Sequence, residues 1–176
     1  MLRRGTQILF LLAFLGQYLP WVIAPRRLVF IYHFYTCVPF LILALVYYRC
    51  QDLCPLLLDG LARAVRDMGF TVGKEFEVLI VSFDPRDTPT FAALKRAEMA
   101  QKFGWGETAK RWHFLTGTDA PIRQLTAAVG FRYAFDPATE EFAHAAGLVV
   151  LTPQGRIFRY LYGVEFPPRD LRLSLV

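Results

Sequence analysis

The sequence predicts an α/β fold, with helices packed around a single sheet. Three observations carry this reading. From Leu41 onward, apolar strand-like runs alternate with amphipathic helical segments. The uncharged run Leu41–Tyr48 is rich in Leu, Ile and Val, which is the pattern of a central strand buried on both faces. Near the C-terminus, Leu148–Thr152 and Arg156–Tyr162 flank Pro153-Gln154-Gly155, so Pro and Gly sit where a hairpin turn needs them. With 176 residues, the chain is long enough for one domain with its own core.

The elements follow in order. Leu41–Tyr48 is the first strand. Leu58, Leu61, Ala62, Val65 and Met68 then recur at helical spacing, with Asp59, Arg63, Arg66 and Asp67 on the opposite side. Asp52 is the candidate N-cap, Pro55 is tolerated in the first turn, and Gly69 closes the helix in a left-handed conformation. Phe76–Phe83 reads as a strand leading into Asp84-Pro85-Arg86-Asp87-Thr88-Pro89. Thr88 caps the next helix and Pro89 opens it; Gly104 and Gly106 end it just after Phe103. His113–Thr116 is a short strand. Asp119 starts a helix with Pro121 in its first turn, ending near Gly130. The hairpin follows, and Asp170–Val176 begins a last helix that the chain barely completes.

The N-terminal part differs in character. The chain is 55% hydrophobic and 15% aromatic, and the apolar excess lies in its first fifty residues. Arg3 and Arg4 precede Ile8–Ala24, which carries no charge. Residues 1–27 therefore read as a signal peptide or membrane anchor, with Val22-Ile23-Ala24 at an acceptable cleavage point and the basic start held in the cytoplasm. The apolar residues 28–40 have no physical assignment. The domain proper is residues 41–176.

Charge excludes one class of function. The net charge is +5 and the pI about 9.3, yet the cations are scattered: Arg63, Arg66, Lys95, Arg96, Lys110, Arg111, Arg156, Arg159. No clustered face is available to track a phosphate backbone, so no nucleic-acid partner is expected.

The chemistry points to cysteine. There are three, too few for a disulfide scaffold: Cys37 is alone in an apolar run, while Cys50 and Cys54 lie in YYRCQDLCPLLLDG. That pair sits at a strand-to-helix junction. Cys54 falls in the first helical turn, where the partial positive charge favours thiolate, and Arg49 is expected to push the same way. Were both cysteines helical, their Cβ atoms would lie about 5–6 Å apart. A disulfide wants about 3.5–4.5 Å, so a bridge requires the loop at Cys50 to fold inward. A metal relaxes this demand, because each sulfur need only approach a shared ion, and two thiolates suit Cu(I). Of the three histidines, His33 and His113 read as structural. His144, on what reads as a loop entering a strand, is as consistent with a loop residue as with a ligand.

Taken together, YYRCQDLCPLLLDGL, VSFDPRDTP, FLTG and the histidine before GLVVLTPQGRI resemble the SCO/SenC family over about residues 41–176. The resemblance implies a thioredoxin-like mixed sheet flanked by helices behind a membrane anchor. It also implies a copper ion bound by Cys50, Cys54 and His144, and a role in assembling the copper centre of cytochrome c oxidase. The expected partner is the copper-bearing oxidase subunit or another copper or thiol acceptor, on the periplasmic side. A thiol–disulfide oxidoreductase cycling Cys50 and Cys54 remains the alternative, and an inactive relative is a third. Asp84 and Asp87 match the family's loop and read as turn-forming and capping residues. Three features depart from the family: Gln51 replaces a proline, Ala143 replaces an acidic residue beside the histidine, and the two ends are atypical. The missing carboxylate removes the expected orienting partner of His144, for which Glu140 or Glu141 is a substitute. The ends suggest an altered start or a truncated C-terminus.

Overall fold

The computed structural model describes residues 40–176. The segments 1–27 and 28–39, with His33 and Cys37, lie outside the described residues. Among the described residues no helix is long and apolar enough to cross a membrane.

A five-stranded mixed sheet forms the centre, in the order β3-β2-β1-β6-β7. β1 is Phe40–Val46, β2 is Phe76–Ser82 and β3 is Trp112–Leu115. β6 is Gly147–Leu151 and β7 is Ile157–Tyr162. β1 runs parallel to β2, with Ile42 opposite Val78 and Leu45 opposite Val81, and β2 runs parallel to β3. On its other side β1 pairs antiparallel with β6, and β6 with β7. β1 is thus the central strand. Ile42 to Val46 are all buried, as the unbroken apolar run requires of a strand covered on both faces.

The helices are α1 (Leu53–Asp67), α2 (Pro89–Phe103), α3 (Asp119–Ala128) and α4 (Pro168–Leu173), with a 3₁₀ turn at Gly106–Arg111. α1 buries Leu57, Leu58, Leu61, Ala62 and Val65, the apolar stripe of the sequence. Thr88 caps α2, its side chain accepting the Phe91 N–H at 3.4 Å, and Gly104 ends α2 at φ 63°. Asp52 occupies the N-cap position of α1 but its side chain makes no capping bond. Gly69 follows α1 at φ 78°, the left-handed geometry expected of it.

One element departs from expectation. Residues 133–144 form a hairpin of their own, β4 (Tyr133–Asp136) against β5 (Glu141–His144), a second two-stranded sheet. His144 is therefore the last residue of a strand, not a loop residue, and it lies opposite Tyr133. At four residues each, these strands are too short for their alternation, in β5 half-buried Phe142 and His144 between exposed Glu141 and Ala143, to stand out in sequence.

Candidate metal centre

The C-terminal end of β1 delivers Tyr47, Tyr48 and Arg49 to the short loop that carries Cys50, and α1 begins three residues later with Cys54 in its first turn. Both cysteines are free thiols and both are buried, Cys50 at 8% and Cys54 at 3% exposure. The Cys54 backbone N–H donates to Cys50 Sγ at 3.3 Å. The unpartnered amides at the start of α1 thus aim at Cys50, which stands just outside the helix.

This inverts the expected assignment of the acidic thiol. Burial alone pushes Cys50 up, but the Cys54 backbone N–H, the Cys54 thiol, the Tyr47 hydroxyl and the Asp52 backbone N–H outweigh it and hold the thiol below its ordinary value. Cys54, nominally in the first turn, is pushed well up, chiefly by burial and further by the charge on Cys50. Arg49 does not assist either thiol. Its guanidinium turns to Asp87 at 3.5 Å, to the Arg86 carbonyl at 3.2 Å, and over the Phe91 ring.

His144 reaches the pair from the end of β5. Its Nε2 lies 3.8 Å from Cys54 Sγ, across 90 residues of sequence. Its Nδ1 faces the Ala145 carbonyl oxygen at 3.0 Å. A carbonyl only accepts, so Nδ1 carries the proton and the Nε2 lone pair points toward the sulfur. The orienting acceptor is therefore a backbone oxygen one residue on, rather than the substitute carboxylate of Glu140 or Glu141; both are exposed on the hairpin. Aromatic rings fix the imidazole from the sides. Phe83 meets it edge-on at 5.1 Å and Tyr47 at 5.9 Å, with Phe131 tilted against it at 5.9 Å.

Three soft or borderline donors thus adjoin one another around Cys54. They are neighbours rather than a closed set: among the described residues no three or more His, Cys, Asp or Glu side chains are already gathered as a metal cluster. The donor chemistry fits a soft ion such as Cu(I), and an apolar, ring-lined surround limits competition from water.

Two acidic residues do more than cap and turn. Asp84 is buried and accepts a forked pair of bonds from Arg86 at 2.9 Å each, besides the Arg86 backbone N–H. Asp87, also buried, reaches back across 39 residues to accept the Tyr48 N–H at 2.7 Å and the Ser82 hydroxyl at 2.7 Å. It ties the loop after β2 to the backbone just before Cys50. Its second oxygen has no hydrogen-bond partner, only Arg49 at 3.5 Å. Sequence reasoning missed this strut, and also Tyr47 and Phe83 beside the imidazole. His113 stands apart, paired with Glu77 at 3.0 Å on β3 and β2.

Comparison with known proteins agrees with this architecture. The SCO1/SenC family model matches residues 39–172. No curated protein matches the sequence. Among solved structures, a protein of Aquifex aeolicus VF5 is 29% identical with a TM-score of 0.65, over 78% of this chain and 76% of that one. A second from the same organism is 30% identical with a TM-score of 0.59, over 78% and 79% of the two chains. The copper-bound ScoI of Bradyrhizobium japonicum is 20% identical with a TM-score of 0.58, over 78% and 83%. The family match spans most of the chain and the whole central sheet, with both cysteines and His144 inside it, and the chain belongs to the SCO1/SenC family.

Proposed function

We propose that this chain is a copper carrier. Cys50, Cys54 and His144 hold one copper ion and surrender it to an acceptor whose thiolates replace theirs. The acceptor is the copper-bearing subunit of cytochrome c oxidase. Residues 1–27 export the domain or anchor it to the membrane, so that residues 41–176 work outside the cytoplasm.

The observation that carries this reading is the approach of His144 Nε2 to within 3.8 Å of Cys54 Sγ. Nothing in local folding requires an imidazole at the end of β5 to meet a thiol at the start of α1. The proton on Nδ1 leaves Nε2 free to bind an ion, and the copper-bound relative from Bradyrhizobium japonicum supports the choice of metal. The chain's own residues do the rest. The Cys54 N–H and the Tyr47 hydroxyl stabilise Cys50 as thiolate, Asp87 holds the backbone ahead of it, and Phe83 and Tyr47 keep the imidazole turned inward.

The test is anaerobic titration with Cu(I) against a competing chelator. The wild-type chain binds one Cu(I), and His144→Ala weakens binding by about 10–100-fold or more, the scale on which metal sites respond even to loss of a residue that only supports a ligand. An unchanged affinity in His144→Ala removes the histidine from the site.

The unequal thiols support a second reading, thiol–disulfide exchange. Cys50 thiolate attacks a partner disulfide and expels one partner thiolate. Cys54 then displaces the other, so two electrons pass to the partner and Cys50–Cys54 is left oxidised. His144→Ala leaves this exchange intact and Cys50→Ser abolishes it, which separates the two activities.

A further inference from the structure

Beside the cysteine–histidine pair lies an open groove of about 890 Å³ that the carrier chemistry does not use. Its floor is aromatic: Phe131, Tyr133, Phe135 and Phe142 line it, and Phe135 is 43% exposed. Its rim carries three arginines, Arg86, Arg123 and Arg132, against two aspartates, Asp84 and Asp119, so one positive charge is left over. These three differ in what they already do. Arg86 is committed to buried Asp84 and lies over the Phe135 and Phe142 rings at 4.9 and 5.5 Å, so it forms part of the wall. Arg123 makes an ion pair with Asp119 at 2.8 Å, in which both side chains are more than half exposed. Such a pair is worth little and exchanges readily. Arg132 is exposed and makes no ion pair among the described residues.

The groove adjoins the candidate metal centre through its aromatic residues. Phe131 packs against His144 at 5.9 Å, Phe142 against Tyr47 at 5.2 Å, and Tyr133 faces His144 across the β4–β5 pair. Phe131 thus belongs both to the aromatic floor and to the rings packed against His144.

We propose that this groove docks an extended acidic segment of the protein that exchanges copper with this chain. Identifying the occupant as a copper-exchange partner rests on the carrier reading above. Its acidic character rests on the groove alone. The exposed guanidinium groups of Arg123 and Arg132 beside the aromatic floor offer carboxylates a forked partner, and the rings offer apolar side chains a flat surface. The cationic rim also speeds encounter with an acidic surface and repels a basic one.

The test uses the metal-free full chain and two short fluorescein-labelled peptides without cysteine. One is built of Asp, Glu, Gly and Phe; in the other Lys replaces every acidic residue. Fluorescence anisotropy reads binding. The acidic peptide binds, loses affinity as salt rises, and binds about tenfold or more weakly to the R123E/R132E double variant. Both substitutions are on the surface and outside the metal ligands, and circular dichroism with Cu(I) stoichiometry shows whether the variant is folded. Equal binding of the two peptides, or no loss in a folded double variant, overturns the groove proposal. If the acidic peptide binds but the chain takes up no Cu(I), the groove stands and the carrier reading falls. If Cu(I) binds without peptide preference, the reverse holds.

Discussion

Cys50 and Cys54 illustrate how a few hydrogen bonds decide the chemistry of two buried thiols. Both thiols are buried, and burial raises both. Only Cys50 receives the Cys54 N–H from the first turn of α1, the Tyr47 hydroxyl and the Asp52 N–H, and only Cys50 ends below its ordinary value. The thiolate is the reactive form, so alkylation reports the difference. As pH rises from neutral, iodoacetamide modifies Cys50 first. In a comparison of Cys54→Ser with Cys50→Ser, the remaining thiol of the pair reacts at lower pH when it is Cys50, by about tenfold in rate near neutrality, with its label told apart from that of Cys37 by mass spectrometry. Preferential labelling of Cys54 contradicts the assignment. The pair itself was legible from sequence, because its spacing and its place before a helix are local facts. Which member is acidic was not, since that depends on where the amides of α1 point. Asp87 was equally hidden: a carboxylate that accepts the N–H of Tyr48 from 39 positions away looks, in sequence, like any capping residue.

Among the elements, α1 places one half of the site and must sit close to the chain behind it. Gly60, buried in the middle of α1, faces the Val164 carbonyl, and a Cβ built there overlaps that oxygen and presses on the Val164 backbone. Alanine in a helix interior ordinarily stabilises by about 1 kcal/mol relative to glycine. Here the sign reverses. Gly60→Ala is destabilising by about 1–3 kcal/mol in urea unfolding, because a packed backbone cannot move aside cheaply. A neutral or stabilising result means that α1 does not lie against Val164 as described. Long elements with one strong pattern were readable: β1 as an unbroken apolar run, α1 as a stripe, α2 by its Thr88-Pro89 start. β4 and β5 were not, although β5 ends in the candidate ligand. Strands of four residues are too short for a period to show in sequence, and these two are specified by pairing with each other. The functional consequence is that His144 is held by a hairpin register opposite Tyr133, which is stiffer than the loop expected for it.

For the molecule as a whole, the sheet order brings the ends of two distant segments to one edge. β1 is central, so its C-terminal end, where Cys50 follows, lies beside the residues entering β6. The β4–β5 hairpin ends immediately before β6, which carries His144 to the same edge. Topology therefore supplies the convergence that no spacing along the chain could show, and the groove lined by Phe131, Phe135 and Phe142 is a product of the same hairpin. Fold class was readable because alternation of strand and helix survives in sequence. The site's closure was not, because it needs three elements placed at once. Copper K-edge X-ray absorption of the Cu(I)-loaded chain tests that convergence most directly. Two sulfur ligands and one imidazole nitrogen are expected, with the imidazole scattering lost in His144→Ala and both sulfurs kept. A wild-type spectrum with sulfur ligands alone, or one that His144→Ala leaves unchanged, contradicts the account.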